Sequence, residues 1–216
     1  VLGRKSKKGF YEYDAEMKAI VPAEAPAPTD RPTSVWVSRV NEEGHAALTS
    51  LLQKLGASLE SGALPGAGAL ILVTPRGEDA TSCAVDQGLD PKRTVAVDTL
   101  FPMVKRRTIM GTPITDPAYR RAAHGLLASD GVPVTVCRDS PGFIAQRIIA
   151  MIVNIGCSIA QSRTATPSDI DKAVMFGFGP RYTTMGIVEF IDWGGVEIMY
   201  NATRYLARAL DSPGHQ

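Results

Sequence analysis

The sequence predicts an α/β layer followed by an all-α segment. Between residues 34 and 139, short apolar runs alternate with helix-period stretches, the pattern of βαβ units and a small, mostly parallel sheet. Beyond Asp139 the strand pattern stops. Residues 142–161 carry a single acidic or basic side chain, Arg147, and a helix this apolar over this length is buried against other helices.

Residues 1–13 are basic and then aromatic, with Gly3-Arg4-Lys5-Ser6-Lys7-Lys8 followed by Phe10, Tyr11 and Tyr13. A charge run of this kind is ordinarily a solvated terminus, while the aromatic residues argue for docking onto something. Residues 21–33, rich in Pro and Ala, form an extended, semi-rigid linker. Val35-Trp36-Val37 reads as a short strand. A helix is expected over 43–55, with Gly56 just past its end. Residues 69–73 and 94–97 are continuous apolar runs, as in strands covered on both faces. Residues 106–110 are a weaker strand. Asp116 and Pro117 open a helix over 116–129 as cap and first residue, and 132–137 closes the α/β series. Next, Ser140 is expected to cap a helix over 142–161 with Pro141 at its first position. Three further helices are expected: one from Thr166-Pro167 to about Phe176, stopped by Gly177 and Gly179, one over 185–193, and one over 196–210 after Gly194-Gly195.

Composition narrows the function. Lys plus Arg is 23 against 22 for Asp plus Glu, a formal charge of +1, which gives no electrostatic case for nucleic acid or an anionic membrane. The longest apolar run, 144–160, is interrupted by Gln146, Arg147 and Asn154 and suits a core helix better than a membrane span. The cysteines Cys83, Cys137 and Cys157 are odd in number and scattered. They make no disulfide framework or metal-ligand spacing, and the expected compartment is a reducing cytoplasm. The start at Val1 and the stop at Gln216 just after a helical pattern suggest a piece of a longer protein.

An α/β segment ahead of a helical one raises the question of a dinucleotide. Its diphosphate needs glycines at the first strand-to-helix turn, where backbone N–H groups can approach it. This turn reads Ser38-Arg39-Val40-Asn41-Glu42-Glu43-Gly44, with no G-x-G-x-x-G and two adjacent carboxylates. The Gly-rich run 62–68 precedes a strand and is read as a loop. His45 and His124 fall inside predicted helices, and His215 is near the end. Asp98 ends a strand without an evident partner base, and no nucleophile or metal cluster is present. The basic run Lys105-Arg106-Arg107 reads as a solvated strand edge.

From Asp139 onward the chain resembles the 3-hydroxyacyl-CoA dehydrogenase family. The family's helical domain opens on D-x-P-G-F-x-x-N-R, seen here as Asp139-Ser140-Pro141-Gly142-Phe143 with Arg147. Asp169-Ile170-Asp171 and Gly177-Phe178-Gly179 match its next two motifs. Met185-Gly186 with Glu189, Asp192 and Gly195 matches M-G-x-x-E-x-x-D-x-x-G. The Gly3–Tyr13 stretch resembles the segment that ends this helical domain. The resemblance therefore implies a long parent enzyme in which 1–20 is the tail of a preceding helical domain. A linker (21–33), a reduced Rossmann-like domain (34–139) and a second, truncated helical domain (140–216) follow. Long enzymes of this type include 3-hydroxybutyryl-CoA and 3-hydroxyadipyl-CoA dehydrogenases of fatty-acid β-oxidation and phenylacetate breakdown. The parent would use NAD to oxidise 3-hydroxyacyl-CoA.

The departures from the family pattern bear on mechanism. Where the family has H-x-F-x-P, this chain has Asp98-Thr99-Leu100-Phe101-Pro102, so Asp98 stands for the catalytic His. Its Glu partner is missing from 106–109, and Gln146 replaces the substrate-side Asn. The expectation is a non-catalytic half with no cofactor of its own. It would pair with the upstream catalytic half or another copy and support the acyl-CoA cleft. Phe143, Ile148, Ile152, Ile155, Met185, Phe190 and Trp193 are the interface candidates. Two alternatives remain: a binding module that holds acyl-CoA or a nucleotide without chemistry, and an active oxidoreductase with an unusual cofactor loop.

Overall fold

The computed structural model describes residues 4–178 and 185–210. Gly3, Gly179 and His215, all singled out above, lie outside the described residues. At the N-terminus a single 3₁₀ turn (Arg4–Ser6) precedes a minimal antiparallel hairpin of β1 (Glu12–Tyr13) and β2 (Ala19–Ile20). Phe10 and Tyr11 are exposed and Tyr13 is half-buried. Residues 21–32 carry no regular structure, as four prolines dictate. They run along the α/β layer, where Glu24 pairs with Arg106 and Asp30 with Arg121.

The layer is a five-stranded sheet in the order β3 (Val35–Val37), β4 (Leu70–Val73), β5 (Thr94–Val97), β6 (Arg107–Gly111) and β7 (Val134–Cys137). Every neighbouring pair is parallel except β5 with β6. Connection 98–106 is too short for the crossover of about a dozen residues or more that a parallel return requires. A single parallel bridge from Val35 to Leu59 extends the other side of β3. Val35 N–H donates to the Ser58 carbonyl at 2.9 Å, and Glu60 N–H to the Val35 carbonyl at 2.8 Å. The chain thus leaves β3 to one side and returns to β4 on the other, which makes a shortened topological switch point.

Strand alternation divides the core into two layers. On one face Val35, Val37, Leu70, Leu72, Val95, Val97 and Ile109 pack under Leu48 and Leu52 of α1 (Glu42–Lys54). Ala123, Leu126 and Leu127 of α3 (Pro117–Leu127) complete that layer. On the other face Trp36, Ile71, Val73, Ala96 and Met110 pack under α2 (Ala80–Asp86) and Phe143. Helix α2 leaves no legible mark in the sequence, because its seven residues are too few to show a helical period. Asp79 caps it by accepting from Ser82 N–H at 2.7 Å. Asp116 and Pro117 begin α3 as expected, and Gly56 follows α1 with φ +73°.

The helical segment comprises α4 (Ala145–Gln161), α5 (Pro167–Phe178), α6 (Ile187–Gly194) and α7 (Val196–Leu210). Its start corrects the expectation at Ser140. Gly142 and Phe143 have φ of +72° and +46°, so a left-handed turn replaces the first helical turn, and α4 begins without a side-chain cap. Arg147 closes that turn instead. Its guanidinium donates to the Pro141 carbonyl at 2.7 Å and to the Ser140 hydroxyl. The turn drives Phe143 under the sheet, where it is 4% exposed. A side chain enclosed in the chain's own core offers nothing to a partner, so Phe143 is no interface residue.

Helix α6 begins two residues later than expected. The Asp171 carboxylate accepts from Val188 N–H (2.7 Å) and Glu189 N–H (3.1 Å), fixing the helix start at Ile187. The approach requires glycine at 186, because a Cβ there would lie 2.1 Å from the Asp171 carboxyl carbon. Helix α5 continues through Gly177 to Phe178. At the far end of the segment, the Tyr205 hydroxyl of α7 hydrogen-bonds Asp79 (3.1 Å) and Ser82 (2.9 Å), tying the helices to α2.

Candidate functional site

Open α/β sheets bind ligands at the carboxyl ends of their strands. Asp98 follows directly on β5 at that edge and is 8% exposed. Gln146, in the first turn of α4, is 5% exposed, and its Nε2 donates to Asp98 Oδ1 at 2.8 Å. The two positions that the family pattern singles out, 48 residues apart in sequence, therefore meet. Gln146 is also fastened to the turn after β4, with Oε1 accepting from Gly77 N–H at 2.8 Å and Nε2 donating to the Pro75 carbonyl at 3.3 Å. Asp98 Oδ1 accepts in addition from Leu100 N–H at 3.1 Å. Burial pushes the Asp98 carboxyl above its ordinary range, while the bonds from Gln146 and Leu100 pull it back.

Beside this pair, between the ends of β3 and β4, lies a crevice of about 300 Å³ lined by residues that include Ser38, Asn41, Thr74, Arg76, Glu78 and Cys83. Here α1 presents its N-terminus, and Asn41 has taken it. The Asn41 side chain accepts from Gly44 N–H at 3.1 Å and donates to the Thr74 carbonyl at 2.7 Å. Glu42 and Glu43 stand in the same first turn, Glu43 paired with Arg76. Cys83 is buried and its Sγ–H points at Glu78. Burial first, then that hydrogen bond and charge, push the thiol far up, so it is no nucleophile.

Glu60, at the end of the rudimentary outer strand, is engaged below the sheet edge. It accepts from Ser34 Oγ at 2.6 Å and Gly66 N–H at 2.7 Å, bonds that lower its pKa. His45 Nδ1 lies 3.1 Å from the Ser38 carbonyl within α1. His124 lies in α3, in a groove with Val132, Pro133 and Val134 at the start of β7, and burial lowers its pKa. Of the basic run, Arg107 is buried and bidentate to Asp130 at 2.7 Å, and Arg106 binds Glu24 and Thr135. Among the described residues no cluster of His, Cys, Asp or Glu could hold a metal, and no helix is long and apolar enough to cross a membrane.

A second cleft, about 470 Å³, opens where the helical segment faces the sheet edge. Arg76, Thr99, Leu100, Phe101, Phe190 and Trp193 are among its walls. Trp193 is 75% exposed, and Phe190 lies against it with ring centroids 6.2 Å apart. Met185 and Phe190 are half-buried. On α4, Ile148, Ile152 and Ile155 are exposed. Ile144 and Met151, beyond the residues expected from the sequence, are exposed along the same stripe.

A reduced, doubly wound α/β layer with a helical bundle packed over the carboxyl edge of its strands defines a two-part, Rossmann-like architecture. Residues 142–216 match the family model described as 3-hydroxyacyl-CoA dehydrogenase, C-terminal domain. This segment is thus similar to the C-terminal domain of 3-hydroxyacyl-CoA dehydrogenases. The chain is 25% identical over 192 residues to a 3-hydroxyadipyl-CoA dehydrogenase of Escherichia coli K12, a match that covers 89% of this chain and 35% of that protein. It is 34% identical over 88 residues to an L-carnitine dehydrogenase of a Pseudomonas species, covering 40% of this chain and 26% of the relative. The fold is similar to the 3-hydroxybutyryl-CoA dehydrogenase structure from E. coli K12, with a TM-score of 0.66, 22% identity and coverage of 99% of this chain and 39% of that one. It is also similar to M. tuberculosis FadB2, with a TM-score of 0.64, 17% identity and coverage of 87% and 62%. The chain spans about a third of the length of the first of these curated relatives.

Proposed function

We propose that this chain is the non-catalytic C-terminal portion of an NAD-dependent 3-hydroxyacyl-CoA dehydrogenase. Its tasks are to pair with the catalytic portion and to brace that portion's acyl-CoA cleft. The observation that carries this reading is the closed Asp98–Gln146 pair. A base that takes a substrate hydroxyl proton must lie within hydrogen-bond reach of it. Asp98 is buried and spends its Oδ1 on Gln146 and Leu100. Two further features support it. Asn41 fills the helix N-terminus that would receive a diphosphate, and the carboxylates of Glu42 and Glu43 stand in the same first turn.

In this reading residues 1–20 end a preceding helical domain, 21–33 link, 34–139 form the reduced Rossmann-like domain and 140–216 the second helical domain. The pairing surface is the α4 stripe with Ile148, Ile152 and Ile155, continued by Trp193, Phe190 and Met185. Titration with NADH, followed by energy transfer from Trp36 and Trp193, tests the reading. No saturation is expected at micromolar cofactor, and saturation there, or turnover of a 3-hydroxyacyl-CoA by this chain alone, overturns it.

The cleft lined by Phe101, Phe190, Trp193 and Arg76 favours a second reading, a module that holds an acyl-CoA or nucleotide without chemistry. Calorimetry with acetoacetyl-CoA separates the two: heat that saturates at one ligand per chain supports the module.

A further inference from the structure

Gln146 joins the helical segment to the α/β layer at three points. It grips Gly77 and Pro75 in the turn after β4 and Asp98 after β5. Two of these partners are neutral backbone groups and the third is a buried carboxyl. Among the described residues no cation forms a salt bridge with Asp98. The Cys137 thiol of β7 is the titratable group that shares its surroundings, itself pushed up first by burial and in part by the Asp98 charge. From β6 the approach is neutral, the Thr108 carbonyl accepting Asp98 N–H at 3.0 Å. The nearby charged groups are engaged elsewhere: Arg147 with Pro141 and Ser140, Asp139 with Ala80 and Thr81, Arg76 with Glu43.

An ionised carboxylate in this position loses hydration that two neutral hydrogen bonds repay only in part, and a protonated one loses far less. We propose that the Asp98–Gln146–Gly77 clip is a proton-sensitive joint between the helical segment and the sheet, closed while Asp98 holds its proton and loosened when it ionises. The sign follows from the direction of the shift. Burial raises the carboxyl's pKa in the closed joint, so the stabilisation from closing is complete below the hydrated group's pKa and is lost as pH rises through the closed-state value. Loosening releases Gly77 N–H, whose acceptor is Gln146 Oε1. It also frees the turn after β4, which walls both the crevice and, through Arg76, the aromatic cleft. The positions where the family pattern expects a catalytic pair would then serve as a hinge lock.

Amide hydrogen exchange at Gly77 in the whole chain, measured by NMR across about pH 4 to 8 and corrected for intrinsic rates, tests this. Protection in the wild type is expected to fall with rising pH, by about tenfold for each unit separating the closed and open pKa values. Asp98→Asn, which keeps the acceptor and removes the charge, should flatten the profile. Gln146→Ala should leave Gly77 unprotected throughout. Equal slopes in wild type and Asp98→Asn overturn the proposal. The wild type also decides without any variant, because the midpoint of Gly77 exchange must coincide with the titration of the Asp98 carboxyl carbon, and separate midpoints overturn it.

Discussion

Two carboxyls in this chain are pushed in opposite directions from their ordinary range, Asp130 downward beside the buried Arg107 and Asp98 upward by its own burial. Arg107 is 3% exposed and donates to the Met103 and Leu127 carbonyls as well as to both Asp130 oxygens. The hydrogen bonds from Arg107 hold Asp130 below the usual carboxylate range. A depressed folded-state pKa gives stability that is present above the unfolded carboxyl's pKa and is lost as pH falls through the folded value. Asp130→Asn should therefore destabilise the chain at neutral pH by about 2 kcal/mol, less than for a wholly enclosed pair because Asp130 is partly open to water. The difference from wild type should shrink below about pH 4, and thermal melts over that range check it. Asp98 has the reverse sign, and nothing local in the sequence announces either group. A lone Asp after an apolar strand looks the same whether it meets water or Gln146. That Asp98 and Gln146 matter could be read only from motif position; that they touch follows from the left-handed turn at Gly142-Phe143, where the pattern Ser140-Pro141 points to an ordinary capped helix. Tertiary packing of Phe143 outweighs that local preference.

At the scale of elements, what the sequence reveals depends on how local its cause is. Helices α1 and α3 are legible because Gly56 and the pair Asp116-Pro117 mark their boundaries chemically. Helix α2 is not, because seven residues hold too little period. The antiparallel β6 is written in a length, the short connection after β5, and not in its residues. Helix α6 is set from outside, by Asp171 of α5. Asp171→Ala should remove that cap and cost about 1 kcal/mol, with faster amide exchange at Val188 and Glu189 while the exchange of β4 is unchanged. The linker is positioned in the same indirect way. A Cβ on Gly125 of α3 would meet the Asp30 carbonyl at 2.3 Å and the Pro28 carbonyl at 2.7 Å. Gly125→Ala should lift residues 28–30 from α3, and limited proteolysis should then cut the linker sooner than in the wild type. Retained resistance would mean that the ion pairs at Glu24 and Asp30 alone hold it.

For the whole molecule, the decisive feature is the apolar surface that its own fold leaves uncovered. Ile144, Ile148, Met151, Ile152 and Ile155 fall at helical spacing on one face of α4, while Gln146, Ala150, Val153 and Gly156 on the other face are buried. A helix with two apolar faces, only one of them packed, is incompletely buried, and contiguous exposed apolar surface marks an interaction site. A stable protein interface removes roughly 1,200–2,000 Å² from water, and the truncation of central anchors dominates its energetics. If α4 supplies that centre, the chain should self-associate when no catalytic portion is present. The double variant Ile148→Glu, Ile155→Glu should shift it to monomer with little loss of fold, because both side chains are already more than half exposed, at 54% and 56%. Sedimentation velocity across a concentration series reads the first effect, and circular dichroism melts the second. Co-expression with the catalytic portion proposed above then distinguishes pairing from simple stickiness: under that proposal the wild-type chain should co-purify with it and the double variant should not. A wild type that remains monomeric at high concentration and ignores the catalytic portion would remove the reason for a helix with this much isoleucine facing water.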